Sequence, residues 1–155
     1  MTVSRLVIGI GNPDRGDDAV GIAVARGLSQ RALPGLRIAE TGGDMLGLLD
    51  LWAGAGRVVL VDAAGPAGRP GRIHRLDPTA GALPRDLGLG STHGFGLAET
   101  LELARTLGRL PPRITILAIE AAGFAHGAAL SAPVAAAVDE AIALITADLR
   151  EVSDA

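Results

Sequence analysis

Four short segments place acids directly after apolar runs, and these are the residues whose chemistry has to be explained. Gly9-Ile-Gly-Asn-Pro-Asp-Arg-Gly-Asp17-Asp18 follows one run, Thr41-Gly-Gly-Asp44 a second, Asp62 ends Val58-Val59-Leu60-Val61, and Glu120 ends a fourth. An ionised carboxylate at the end of such a run is costly unless it is hydrogen-bonded, paired or coordinated. For Asp62 two readings stand side by side: a functional carboxylate, or an acceptor for loop amides. Asp17 and Asp18 have a structural reading too, since one can cap a helix and the other favour its first turn, each by about 0.3–1 kcal/mol. Capping does not need both. Of the three histidines, His74 and His126 have no chemical neighbour in sequence, whereas His93 sits in the glycine-lined stretch Gly90-Ser-Thr-His-Gly-Phe-Gly-Leu97. Two carboxylates and an imidazole from separate loops would suit a divalent metal with open coordination positions.

Composition narrows the chemistry further. The 155 residues contain no cysteine, which removes thiolate nucleophiles, redox pairs, zinc knuckles and iron–sulfur ligation. All basic side chains other than histidine are arginines, 14 against 17 acids for a net charge of −3. They are scattered, so nothing resembles a nucleic-acid or anionic-membrane footprint. Gly9 and Gly11 superficially match the start of a dinucleotide fingerprint, but position 14 is Asp, and acids at a helix start oppose a pyrophosphate. The apolar stretch Leu6–Ile10 is too short for a signal-peptide core, and Val134–Ile145 is interrupted by Asp139 and Glu140. The expected location is the cytoplasm.

The elements that must position these residues follow from periodicity. Leu6–Ile10, Leu36–Glu40, Val58–Asp62 and Arg113–Glu120 read as strands, with a weaker one over Gly71–Leu76 inside a Gly/Pro-rich segment. Val20, Val24 and Leu28 mark a first helix that ends before Pro34-Gly35, and Met45–Trp52 a second. Leu97, Leu101, Ala104 and Leu107 mark a third, ending at Gly108. Ser131 is the expected N-cap of a final helix with Pro133 in its first turn and a stripe through Val134, Val138, Ile142, Ile145 and Leu149. Residues from Val152 onward are expected to fray. The alternation predicts one domain over residues 1–155, a three-layer α/β/α sandwich around a mainly parallel sheet of about five strands. In such a sheet, ligands bind outside the carboxyl ends of the strands, where the acids are.

The chain also resembles the hydrogenase maturation endopeptidases, which trim the large subunit of nickel–iron hydrogenases. The likeness rests on Gly9-Ile-Gly-Asn12 with Asp17-Asp18-x-x-Gly21, then Thr41-Gly-Gly43, Val61-Asp62-Ala63, Ser91-x-His93 with Gly96-Leu97, Ile119-Glu120, and Gly127-x-x-Leu130-Ser131-x-x-Val134. It implies that Asp18, Asp62 and His93 contact metal. Some relatives carry Glu at the place of Asp18, so the carboxylate here reaches one methylene less far and Asp17 is a second candidate for that role. Asp44 is a further candidate for orienting substrate or water. Ala121 stands where a proline often follows the segment resembling Ile119-Glu120, leaving Glu120 without an assigned role. The resemblance further implies an endopeptidase, aspartic-type by family classification, that acts on a nickel-loaded large-subunit precursor and removes its C-terminal extension. The nickel belongs to the precursor, and no organic cofactor is expected. Asp18, Asp62 and Asp44 are the candidates for catalysis, with water activated either by metal or by a carboxylate. A non-proteolytic metal-sensing or chaperone module docking on the same precursor is the alternative function.

Overall fold

A computed structural model of the chain describes residues 4–81, 83, 84, 87, 88 and 96–153. Its five strands are β1 (Arg5–Ile10), β2 (Leu36–Thr41), β3 (Arg57–Ala64), β4 (Ile73–Leu76) and β5 (Arg113–Glu120). Four helices accompany them: α1 (Val20–Gln30), α2 (Gly47–Leu51), α3 (Leu97–Thr106) and α4 (Ala132–Ser153), with a 3-10 turn over Gly16–Ala19 leading into α1. The strands form one sheet in the order β2-β1-β3-β5-β4. All neighbours are parallel except β4, which runs antiparallel to β5 at the edge.

β3 is buried along its whole length because helices cover both faces, which is why its sequence is continuously apolar rather than alternating. Side-chain alternation sorts the core into two layers. Ile8, Leu60 and Ile116 point towards α2 and α3, where Leu48, Trp52, Leu97 and Leu101 meet them. Val7, Val59 and Leu117 point the other way, towards Val20, Val24 and Leu28 of α1 and Val134, Ile142 and Ile145 of α4. The predicted sandwich is therefore the observed one. Boundaries differ only modestly: β3 continues two residues beyond Asp62, and α2 is the shorter Gly47–Leu51. α4 runs to Ser153, so it includes Val152, while Asp154 and Ala155 lie outside the described residues.

Glycines decide how closely α1 lies on the sheet. A Cβ on Gly21 would come within 2.3 Å of the Val61 carbonyl oxygen and 2.4 Å of that of Ile10. No side chain fits there, so the start of α1 rests directly on the ends of β1 and β3. The chain leaves β1 in one direction to reach β2 and later returns to pair β3 on its other side. The switch point of the sheet thus lies between the carboxyl ends of β1 and β3, the expected place for a ligand crevice.

Candidate functional site

A cleft of about 430 Å³ opens at that switch point. The loop after β1 supplies Asn12, Arg15 and Asp18, the loop after β2 supplies Gly42 and Gly43, and β3 supplies Asp62. Ile10, Met45 and Phe124 give it apolar walls. Carboxylates from the ends of two neighbouring parallel strands therefore face one space, beside surfaces able to hold an apolar chain.

Asp18 is held by backbone geometry. Gly11 has φ +150°, and a Cβ there would stand 1.9 Å from the Asp18 carbonyl oxygen. With only hydrogen in that place, the loop folds back and the Asn12 amide donates to Asp18 Oδ2 at 3.0 Å. Asn12 itself accepts the Asp14 amide through its side-chain oxygen at 2.9 Å, a local Asx turn that stiffens the loop. Asp62, on β3, is 3% exposed and accepts the Ala63 amide on Oδ1 at 2.8 Å. Asp62 thus lines the cleft, and the amide it accepts belongs to the next residue of β3 rather than to a loop.

Asp17 behaves differently from its neighbour. It is 2% exposed and turned away from the cleft, accepting hydrogen bonds from the amides of Ala122 (2.8 Å), Gly123 (3.4 Å) and Ser131 (2.7 Å) and from the Ser131 hydroxyl (2.8 Å). The suggestion that it caps the first helix is corrected: no side-chain cap forms at the 3-10 turn or at α1. Its carboxylate instead ties the loop after β1 to the segment between β5 and α4. Ser131 keeps the N-cap position, its carbonyl accepting the Ala135 amide at 2.8 Å, while its hydroxyl is directed to Asp17.

Asp44 is exposed, accepts the Gly47 amide at 3.0 Å where α2 begins, and is not among the residues lining the cleft. Glu120 is 2% exposed and accepts the amides of Ala67 (3.2 Å) and Arg69, closing the loop before β4 onto β5. His74 Nε2 lies 4.0 Å from Glu120 Oε1, and His126 is exposed. His93 lies outside the described residues, as does Ser91. Among the described residues no three His, Cys, Asp or Glu side chains form a metal cluster; of the predicted ligands, Asp18 and Asp62 share the cleft. Sequence reasoning missed Arg15, Met45 and Phe124 as lining residues. The available signal for Arg15 was its place in the loop after β1, just before Asp17-Asp18.

Known proteins are similar to this chain in sequence and in fold. The family model described as HycI, hydrogenase maturation protease, matches residues 22–148. The chain is 29% identical over 150 residues to the hydrogenase 2 maturation protease of Escherichia coli (strain K12), spanning 94% of this chain and 90% of that protein. Its fold is similar to the hydrogenase maturating endopeptidase HybD from E. coli, with a TM-score of 0.76 at 25% identity over 94% of this chain and 91% of that one. It is also similar to the [NiFe] hydrogenase maturation protease HybD from Thermococcus kodakarensis, with a TM-score of 0.74 at 27% identity over 91% and 95% of the two chains. With most of its length matched by the family model and a cleft lined by paired carboxylates at the switch point of its sheet, this chain belongs to the hydrogenase maturation protease family and is a peptidase.

Proposed function

We propose that this chain is the endopeptidase that removes the C-terminal extension of a nickel-loaded nickel–iron hydrogenase large-subunit precursor, acting in the cytoplasm. The observation that carries the proposal is the meeting of Asp18 and Asp62 in one cleft from the ends of β1 and β3. Asp18, Asp62 and His93 engage the nickel of the precursor. Oxygen and nitrogen donors on a cysteine-free protein suit that recognition, because they can occupy an open position on the metal without stripping it from the softer thiolates that hold it in the substrate. The nickel is thus a recognition element of the substrate. A precursor lacking it offers these residues nothing to bind.

Ile10, Met45 and Phe124 give the cleft a surface on which an extended peptide can lie beside the carboxylates. A carboxylate in the same cleft can take a proton from the attacking water. Incubating the protein with nickel-loaded and with metal-free precursor, and weighing both by mass spectrometry, tests the reading. Loss of a C-terminal peptide from the nickel-loaded form alone is the expected result. An unchanged mass would make the protein a docking module, and equal trimming of both forms would remove the metal from recognition.

A further inference from the structure

Beside its carboxylates the cleft contains a charge of the opposite sign. Arg15 is the one cation among the described residues lining it. Its side chain is half-buried, and among the described residues it makes no ion pair or side-chain hydrogen bond. Other arginines near acids are engaged: Arg26 with Glu40, Arg57 and Arg75 with Asp148, Arg105 with Glu102, and Arg109 with Asp50. Arg15 instead shares its cleft with Asp18 and Asp62, where its guanidinium can meet a ligand.

The backbone beneath it is fixed from several sides. The Arg15 amide donates to the Asn12 carbonyl at 3.2 Å, and the Arg15 carbonyl accepts the Asp18 amide at 3.0 Å. On one flank the Gly127 amide donates to the Asp14 carbonyl at 2.6 Å; on the other, Asp17 is tied to the segment before α4 by its amide and its carboxylate. The backbone that carries Arg15 is thus held before substrate arrives, while its guanidinium stays available to a ligand in the cleft. A donor that reaches the place where charge develops in a transition state supplies what is usually the largest single catalytic contribution.

We infer that Arg15 is a catalytic residue whose guanidinium stabilises the oxyanion formed at the scissile carbonyl. The inference rests on the peptidase reading of this cleft. In the step it serves, water adds its oxygen to the carbonyl carbon and gives a proton to a carboxylate of the cleft. The carbonyl π pair moves onto oxygen, where Arg15 donates to it. Collapse restores the C=O bond and breaks C–N, and the amine nitrogen takes the proton that the carboxylate returns. The negative charge exists on that oxygen only between the two steps, so the guanidinium interaction is stronger there than with the starting peptide and acts on turnover rather than on binding.

The experiment compares wild type, Arg15→Met and Arg15→Lys on nickel-loaded precursor, following release of the C-terminal peptide at several precursor concentrations and measuring precursor binding separately. Arg15→Met should lower kcat by about 10²–10³-fold, the usual effect of losing one oxyanion donor, with KM and precursor binding little changed. Arg15→Lys, which keeps the charge without the fork of donors, should recover part of the loss. Turnover by Arg15→Met at the wild-type rate would overturn the inference, as would a loss confined to KM, which would make Arg15 a substrate-binding group only. If wild type itself leaves the precursor uncut, the peptidase reading of this cleft fails and Arg15 falls with it; if wild type cuts and Arg15→Met cuts equally, Arg15 alone is wrong.

Discussion

At the scale of single residues, two adjacent aspartates of identical chemistry have different surroundings. Asp18 lines the cleft, while Asp17 is buried against four donors from the chain after β5. Asp17→Asn replaces one acceptor oxygen by an NH2 group that faces amide donors. It should cost about 1–3 kcal/mol in chemical denaturation, the range for buried groups left unsatisfied. A change near zero would mean the four contacts are dispensable. Asp62→Asn, by contrast, keeps an oxygen for the Ala63 amide but loses the charge, so processing of nickel-loaded precursor should be abolished while unfolding stays cooperative. Loss of the fold in this variant would make Asp62 a structural residue. Away from the cleft, the Thr79 hydroxyl and amide donate to Asp77 and hold its carboxyl below the ordinary carboxylate value. A depressed folded-state value means that its contribution to stability is present at neutral pH and is lost as pH falls through that value. Thr79→Ala should therefore move the Asp77 midpoint upward in an NMR titration.

At the scale of elements, periodicity in the sequence was a good guide where the neighbours are local, and a poorer one where they are not. The stripe Val20, Val24, Leu28 is buried against the sheet as its spacing requires, and Arg113–Glu120 is a strand over the predicted range. β4 was readable only as a weak strand because it is half-exposed at the edge, and its antiparallel pairing with β5 depends on a partner far along the chain. Two substitutions check the central layer. Val59→Ala faces α1 and α4 and Leu60→Ala faces α2 and α3; each should cost about 1–5 kcal/mol by leaving a cavity. Gly21→Ala acts in the opposite way, by overfilling, because its new methyl would meet the backbone oxygens of Val61 and Ile10. Backbone cannot rotate away as a side chain does, so a loss of about 1–3 kcal/mol or more is expected, together with weaker processing as the loop bearing Asp18 shifts with α1.

At the scale of the whole molecule, the two ends of the sheet have separate roles. The carboxyl ends of the strands carry the cleft, while at the amino end Asp148 of α4 bridges Arg57 of β3 and Arg75 of β4. Arg57 is 5% exposed, so Asp148→Ala would strand a buried cation and should lower stability by about 3–5 kcal/mol. Processing per folded molecule should be unchanged at a temperature where the variant is still native, since the bridge lies at the other edge of the sheet. Loss of activity in the folded variant would show that the two edges are coupled. No helix among the described residues is long and apolar enough to cross a membrane. The sequence by itself determined the residue types available for chemistry and their delivery to the ends of strands, because apolar runs and the acids that follow them are local in the chain and parallel sheets gather such ends on one edge. It also excluded thiol chemistry, since no cysteine is present. Only the tertiary structure decided that Asp18 faces the cleft and Asp17 does not, that Asp44 binds the first amide of α2 and Glu120 binds loop amides, and that Arg15 joins the carboxylates. The outcomes for the acids depend on which backbone donors come within about 3 Å of a side chain, and for Asp17 and Glu120 those donors belong to segments more than 50 residues away.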